Sequence, residues 1–93
     1  MIFKIVFENE NNRSAAFYKN EEIGECTFSR SNEFWIIDHT FVIEKYNGEG
    51  IGKKLVKNVV DKAREENVKI IPLCPFALKE FQNVKEYKDI LKQ

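Results

Sequence analysis

The sequence predicts an α+β domain: an antiparallel β-meander, then a β-α-β unit, then short C-terminal helices. Three observations carry that reading. Residues 2–43 alternate between β-rich apolar stretches and short polar turns. At residue 51 the apolar spacing changes to a helical one and keeps it through residue 63. A second β-rich stretch, "VKIIPL", follows that helix at once, and proline then opens another helical run.

The elements follow in order. "IFKIVF" (2–7) is the first predicted strand, and "NENN" (9–12) is the turn after it. Residues 13–19 alternate and include Phe17 and Tyr18. "KNEE" (19–22) is a hairpin turn, "IGECTFSR" (23–30) a third strand carrying Ile23, Cys26 and Phe28, and "SNE" (31–33) a further turn. "FWIIDHTFVI" (34–43) has bulky side chains on both faces, which predicts a central strand. Strands joined by such short turns pair antiparallel. In the helix, Ile51, Leu55, Val56, Val59, Val60 and Ala63 form one stripe, and Lys53, Lys54, Lys57, Asp61, Lys62 and Arg64 form the polar face. Its stop is expected near "EEN" (65–67). Residues 68–73 make the fifth strand, "PFALKEFQ" from Pro75 a helix, and "NVKEYKDILKQ" a last short helix with Asn83 as its cap.

Composition narrows the class. The 93 residues are 43% hydrophobic and 32% charged, which suits one globular domain spanning 1–93. Fifteen basic and fifteen acidic residues cancel, which argues against a general nucleic-acid binder. A small RNA- or nucleotide-binding domain would rest on the lysines and aromatics alone. "MIFKIVFENE" is too short and too charged for a signal peptide, and no apolar run approaches the ~18 residues of a membrane span. Two cysteines without a secretion signal fit a reducing cytoplasm. One histidine and two cysteines show no ligand-pair spacing, so no metal is expected.

The stretch "YNGEGIGKKLVKNVVDKA" (46–63) is the strongest functional signal. Gly48, Gly50 and Gly52 precede the helix, and Lys53 and Lys54 sit in its first turn. A helix N-terminus offers unpaired N–H groups and the positive end of the dipole, and glycine lets a ligand approach them. This is an anion site, most often for phosphate. Lysines are locally unfavourable there unless an anion is bound. A tight turn with a solvated lysine face is the simpler alternative. Two phosphate motifs fail. A Walker A loop ending at Gly52-Lys53 would put its first glycine at Asn47 and its hydroxyl at Lys54; the dinucleotide fingerprint starting at Gly48 would put its third glycine at Lys53.

"NGEGIGKKLV" after a long strand resembles the acetyl-CoA pyrophosphate loop of the GNAT superfamily of N-acetyltransferases, [RQ]-x-x-G-x-[GA]. Asn47 takes the first position, Gly50 the fourth and Gly52 the sixth, so the usual Arg or Gln is absent. "IIPLCPF" (70–76), His39-Thr40 and "NVKEY" (83–87) are similar to segments of the small YjdJ-like branch of predicted acetyltransferases.

The resemblance implies a GNAT-like fold and an acetyl-CoA-dependent N-acetyltransferase with acetyl-CoA as cosubstrate. A non-catalytic CoA- or acyl-CoA-binding module is the alternative. It implies that strands 34–43 and 69–73 splay around the pantetheine arm and bring His39 and Cys74 to one cleft, as general base and as acid or acyl acceptor. Histidine, largely neutral at pH 7, suits the first role; a thiol near a helix start suits the second. A structural histidine and a small buried thiol are the simpler readings of the same residues. Asp38 is expected on the strand face opposite His39, and Cys26 in the core. The implied cofactor contacts are the backbone of Phe41, Val42 and Ile43, the loop residues Asn47, Gly48, Glu49, Gly50, Ile51, Gly52, Lys53 and Lys54, and then Cys74, Pro75 and Phe76. The "ENENN" turn stands where larger relatives carry acceptor-binding helices, so an open site for a protein or peptide amine is expected. The expected assembly is a monomer or weak homodimer, with no nucleic acid or membrane partner.

Overall fold

The computed structural model describes residues 2–92. Five strands lie side by side in sequence order: β1 (Lys4–Glu8), β2 (Arg13–Tyr18), β3 (Glu21–Arg30), β4 (Phe34–Val42) and β5 (Lys69–Pro72). The first four form an antiparallel meander, and β5 joins β4 in parallel after the crossover helix α1 (Ile51–Glu65). α2 (Pro75–Asn83) follows β5. The predicted α+β order holds, with shifts at three places.

β3 starts two residues earlier than its apolar run. Lys19 and Asn20 both take positive φ, 50° and 68°. Two consecutive left-handed residues form the mirror-type turn whose twist matches a hairpin, so pairing resumes at Glu21. β1 is displaced toward Glu8, because Lys4 is the first residue with a β2 partner, Phe17. The last predicted helix is reduced to one short turn. Asn83 closes α2 rather than capping a new helix; a short 3-10 turn spans Lys85–Tyr87. The tail then runs along β5: the N–H of Ile70 donates to the carbonyl of Ile90, and the N–H of Lys92 to that of Ile70. This covers the edge that β5 would otherwise expose.

The core lies between one sheet face and α1. Ile51, Leu55, Val56, Val59, Val60 and Ala63 are all buried, as the periodicity predicts. From the sheet come Ile23, Cys26, Phe28, Trp35 and Ile37. Phe28 and Trp35 stack with ring centroids 4.4 Å apart, and the Arg30 guanidinium lies 4.6 Å from the Trp35 ring, capping the stack with its charge in water. The opposite sheet face is polar. There Arg13 binds Glu8 and Glu25, and takes both carboxylate oxygens of Glu22. The Arg13 hydrogen bond holds the Glu8 carboxyl below its ordinary range, helped by Asn11.

Helix α1 can lie close to β3 because Gly24 has no side chain. A Cβ there would stand 2.9 Å from the Phe41 carbonyl oxygen and 3.3 Å from Leu55 Cδ1. Gly→Ala ordinarily stabilises by stiffening the unfolded chain. Gly24→Ala is expected instead to cost about 1–3 kcal/mol, the usual range for overpacking, read from the urea midpoint. A midpoint equal to or above the parent's would contradict this packing.

Candidate active site

Pairing between β4 and β5 covers only Phe34–Ile37 against Lys69–Pro72. The Ile37 carbonyl then accepts two N–H groups, from Leu73 at 2.9 Å and Cys74 at 3.1 Å. Past this point β4 continues to Val42, while the other chain turns away into α2. The strands therefore splay, and the edge of β4 beyond Ile37 has no strand partner. Pro72 and Pro75 reinforce the divergence: proline supplies no ladder donor, and Pro75 suits the first helical turn.

A cleft of about 440 Å³ opens at the splay, running from Thr40 and Val42 across Phe76 to the loop before α1. That loop is built for close approach. Gly48 and Gly50 adopt φ of 90° and 77°, and a Cβ on either would meet nothing within 4 Å. Their freedom serves backbone conformation and leaves open space above it. Gly52 serves packing: the Phe76 ring lies where its Cβ would be, 2.7 Å away.

Gly50 is the N-cap of α1 and offers no side-chain cap; the first turn holds no acidic residue. The first helical hydrogen bond comes from the N–H of Lys54 to the Gly50 carbonyl. The N–H groups of Ile51, Gly52 and Lys53 thus lack an intrahelical acceptor, and all three residues line the cleft. Bare donors and the positive dipole end meet on one wall, which Lys53 also lines, and this suits a diphosphate.

Cys74 is the N-cap of α2. Its Sγ accepts the N–H of Ala77 at 3.4 Å and lies 3.3 Å from Thr40 Oγ1. Thr40 also donates to Cys26 Sγ at 3.6 Å. Cys74 is buried but abuts Thr40, which lines the cleft. Cys26 is fully buried, as expected, and burial pushes its thiol up from its ordinary value near 9 to about 12, with the Thr40 hydrogen bond working the other way.

The structure does not bring His39 onto Cys74. The register between β3 and β4 shifts between Thr27 and Phe28: Phe28 faces Ile37, Thr27 faces His39, and Asp38 is the extra residue. This bulge reverses the alternation beyond it. His39 turns to the solvent face, with its side chain 56% exposed, Nε2 3.9 Å from Glu25 Oε2 and the ring stacked on Phe41. Thr40 turns inward in its place. Asp38, expected opposite His39, shares its face, where Thr27 and Ser29 hydroxyls donate to it.

The other predicted contacts divide. Val42, Asn47, Gly48, Gly50, Ile51, Gly52, Lys53 and Phe76 line the cleft. Phe41 points its ring to the solvent face. Ile43 has its N–H on Ile23 and its carbonyl on Tyr46, so its backbone is taken. Glu49 and Pro75 are exposed outside the lining, and the Lys54 ammonium lies over the Phe3 ring. Thr40 and Tyr46 line the cleft without having been expected. Tyr46, an aromatic just before the glycines, was a readable signal; Thr40 was hidden by the bulge. Among the described residues, no group of three or more His, Cys, Asp or Glu side chains could hold a metal ion, and no helix is long and apolar enough to cross a membrane.

Residues 13–90 match the family of GCN5-related N-acetyl-transferases, and the chain belongs to that family. It is similar to the solution structure of a GCN5-like protein from Staphylococcus aureus, at 35% identity and a TM-score of 0.76, over 96% of this chain and 87% of that one. It also resembles a GNAT family acetyltransferase from Elizabethkingia anophelis with acetyl-CoA bound, at 28% identity and a TM-score of 0.60, over 81% of this chain. There it spans about half, 51%, of the relative's length. The ribosomal-protein-alanine N-acetyltransferase of Brucella melitensis shares the fold at 24% identity and a TM-score of 0.66. No curated protein matches the sequence.

The raised Cys26 thiol has a consequence for stability. The unfolded chain gives up this proton near pH 9, while the folded chain keeps it to about pH 12. The stabilisation is therefore complete below pH 9 and is lost as pH rises toward 12. Cys26→Ala should flatten the fall of unfolding free energy over that window by up to about 1.4 kcal/mol per pH unit. Equal slopes in parent and variant would contradict the burial of this thiol.

Proposed function

We propose that the chain is an acetyl-CoA-dependent N-acetyltransferase acting by direct transfer to an amine in a ternary complex. One observation carries the reading: an uncapped helix N-terminus, fronted by two left-handed glycines, opens into the cleft between splayed strands. The N–H groups of Ile51, Gly52 and Lys53 take the diphosphate, with the Lys53 ammonium beside them. Thr40, Val42, Tyr46 and Phe76 wall the pantetheine arm. The unpaired edge of β4 supplies the donors that polarise the thioester carbonyl.

His39 and Cys74 lie on opposite faces of the sheet beyond the end of the β4–β5 ladder, and in this reading take complementary roles. His39, on the solvent face beside Glu25, takes a proton from the attacking amine. Cys74, on the helix face, gives its thiol proton to the departing CoA sulfur. The N–C bond forms, the C–S bond breaks, and the two side chains then exchange their protons with solvent. The β1–β2 connection is only a 3-10 turn, Asn9–Asn11, so the solvent face is open and suits a protein or peptide amine. Cys26 and Cys74 are free thiols sharing one hydroxyl, which suits a reducing compartment. We place the chain in the cytoplasm, as a monomer or weak homodimer that uses neither nucleic acid nor membrane.

A non-catalytic CoA-binding module is the second reading, favoured by Asn47 at the position of the family's Arg or Gln and by the minimal acceptor region. Release of free CoA thiol across a panel of amines separates the two: no turnover with any amine, while acetyl-CoA binds, would leave the module.

Acetyl-CoA is expected to move the amide signals of residues 48–54 and, at a hundredfold excess over Kd, to stabilise the fold by about 2.7 kcal/mol. Unmoved signals would sink the cofactor claim. Gly50→Val confounds binding with backbone strain of about 1–2 kcal/mol. Asn tolerates the left-handed region, so Gly50→Asn should fold, yet bind acetyl-CoA at least tenfold more weakly. Intact mass after acetyl-CoA treatment should stay unchanged. A gain of one acetyl group, abolished by Cys74→Ser, would replace direct transfer with a covalent relay through Cys74.

A further inference from the structure

We propose that Thr40 is the positioning residue of Cys74: its hydroxyl, lodged between two sulfurs, orients Cys74 Sγ and donates to it whenever that sulfur carries negative charge. The inference takes its chemical purpose from the acetyl-transfer reading, but its geometry stands apart from it.

Thr40 Oγ1 is 3.6 Å from Cys26 Sγ and 3.3 Å from Cys74 Sγ. A threonine hydroxyl has one proton and two lone pairs. At rest the proton is given to Cys26, so in the Thr40–Cys74 contact the donor is the Cys74 thiol. Cys26 is a poor competitor for negative charge, being fully buried in the core beneath α1. When Cys74 gives up its proton, the Thr40 hydroxyl loses a donor and gains a charged acceptor. Rotation about one bond then turns its proton from the neutral thiol to the thiolate, and charge-assisted hydrogen bonds are the stronger kind. The Ala77 N–H already points at the same sulfur, so the thiolate would have two donors. No bond is made or broken in this turn.

Three structural features hold Thr40 in place. It faces Cys26 directly across β3 and β4. The bulge at Asp38 turns it to the helix face. The splay beyond Ile37 leaves room for Cys74 beside it. Ser14 faces Cys26 from β2, in the same row, but its hydroxyl has no hydrogen-bond partner among the described residues. It serves as the control.

The test reads Cys74 without any acetyl-CoA. Parent, Thr40→Val, Thr40→Ser, Thr40→Ala and Ser14→Ala chains are treated with iodoacetamide at pH 7.5, and the rate at Cys74 is followed by peptide mass, with circular dichroism checking the fold. Thr40→Val keeps the shape and removes the hydroxyl; it should slow alkylation at least threefold. Thr40→Ser should stay within twofold of the parent, as should Ser14→Ala. If Thr40→Val does not fold, Thr40→Ala carries the same expectation. An unchanged or faster rate in the folded hydroxyl-free variant, or a loss in Thr40→Ser equal to that in Thr40→Val, would overturn the proposal. Turnover of acetyl-CoA is measured separately. A chain with slowed alkylation in Thr40→Val and no turnover in the parent keeps the positioning role and loses the enzymatic reading; the reverse pattern keeps the enzyme and loses the role.

Discussion

One carbonyl oxygen organises the molecule. The Ile37 carbonyl is the last backbone acceptor that β4 offers to the neighbouring chain among the described residues, and it takes both the Leu73 and the Cys74 N–H groups. Before it, two strands run together as a parallel ladder; after it, they part. The cleft, the unpaired edge of β4 and the placing of Cys74 at the head of α2 all follow from where that ladder stops. A parallel pair can end this way only if both chains find other partners. β4 keeps β3 as its neighbour, and the diverging chain starts a helix whose Ala77 N–H falls on Cys74 Sγ.

The two walls of the cleft use different glycine and proline physics toward one end. Gly48 and Gly50 take left-handed conformations with open space where a Cβ would stand, while Gly52 lets the far end of the Phe76 ring abut the helix. Pro75 starts α2 without a donor to satisfy. The outcome is a helix N-terminus with no side-chain cap among the described residues. An uncapped, doubly cationic first turn is locally unfavourable, and an anion is what relieves it. Stability elsewhere carries that cost: the stripe from Ile51 to Ala63, the aromatic stack of Phe28 and Trp35, and the tail that shields β5.

The single-residue bulge at Asp38 decides the chemistry of both faces. Without it, His39 and Phe41 would sit inward with Trp35 and Ile37, and Thr40 would point to solvent. With it, the imidazole joins the acidic solvent face near Glu25, and a hydroxyl joins the two thiols inside. The residue one along the strand, and not the histidine, is what meets Cys74. His39 and Cys74 thereby lie on opposite faces of the sheet.

Residues whose roles depend on local backbone or on periodic burial were legible in the sequence. The α1 stripe, the order of strands and helices and the glycine loop needed only spacing, glycine and the helix dipole, whereas Val42 and Phe76 on the cleft wall were named only through the family resemblance. Cys26 in the core followed from a strand pattern. What the sequence alone left undetermined were pairings between distant segments. The tail bridging to Ile70, the end of the β4–β5 ladder at Ile37 and the bulge opposite Thr27 each exist because another segment imposes a register. A bulge carries no composition of its own: Asp38 reads as an ordinary strand residue until β3 is set against it. Alternation has a period of two, so one inserted residue exchanges the faces of everything after it. That is why the sequence could name His39 and Cys74, while only the tertiary structure could put Thr40 between the thiols.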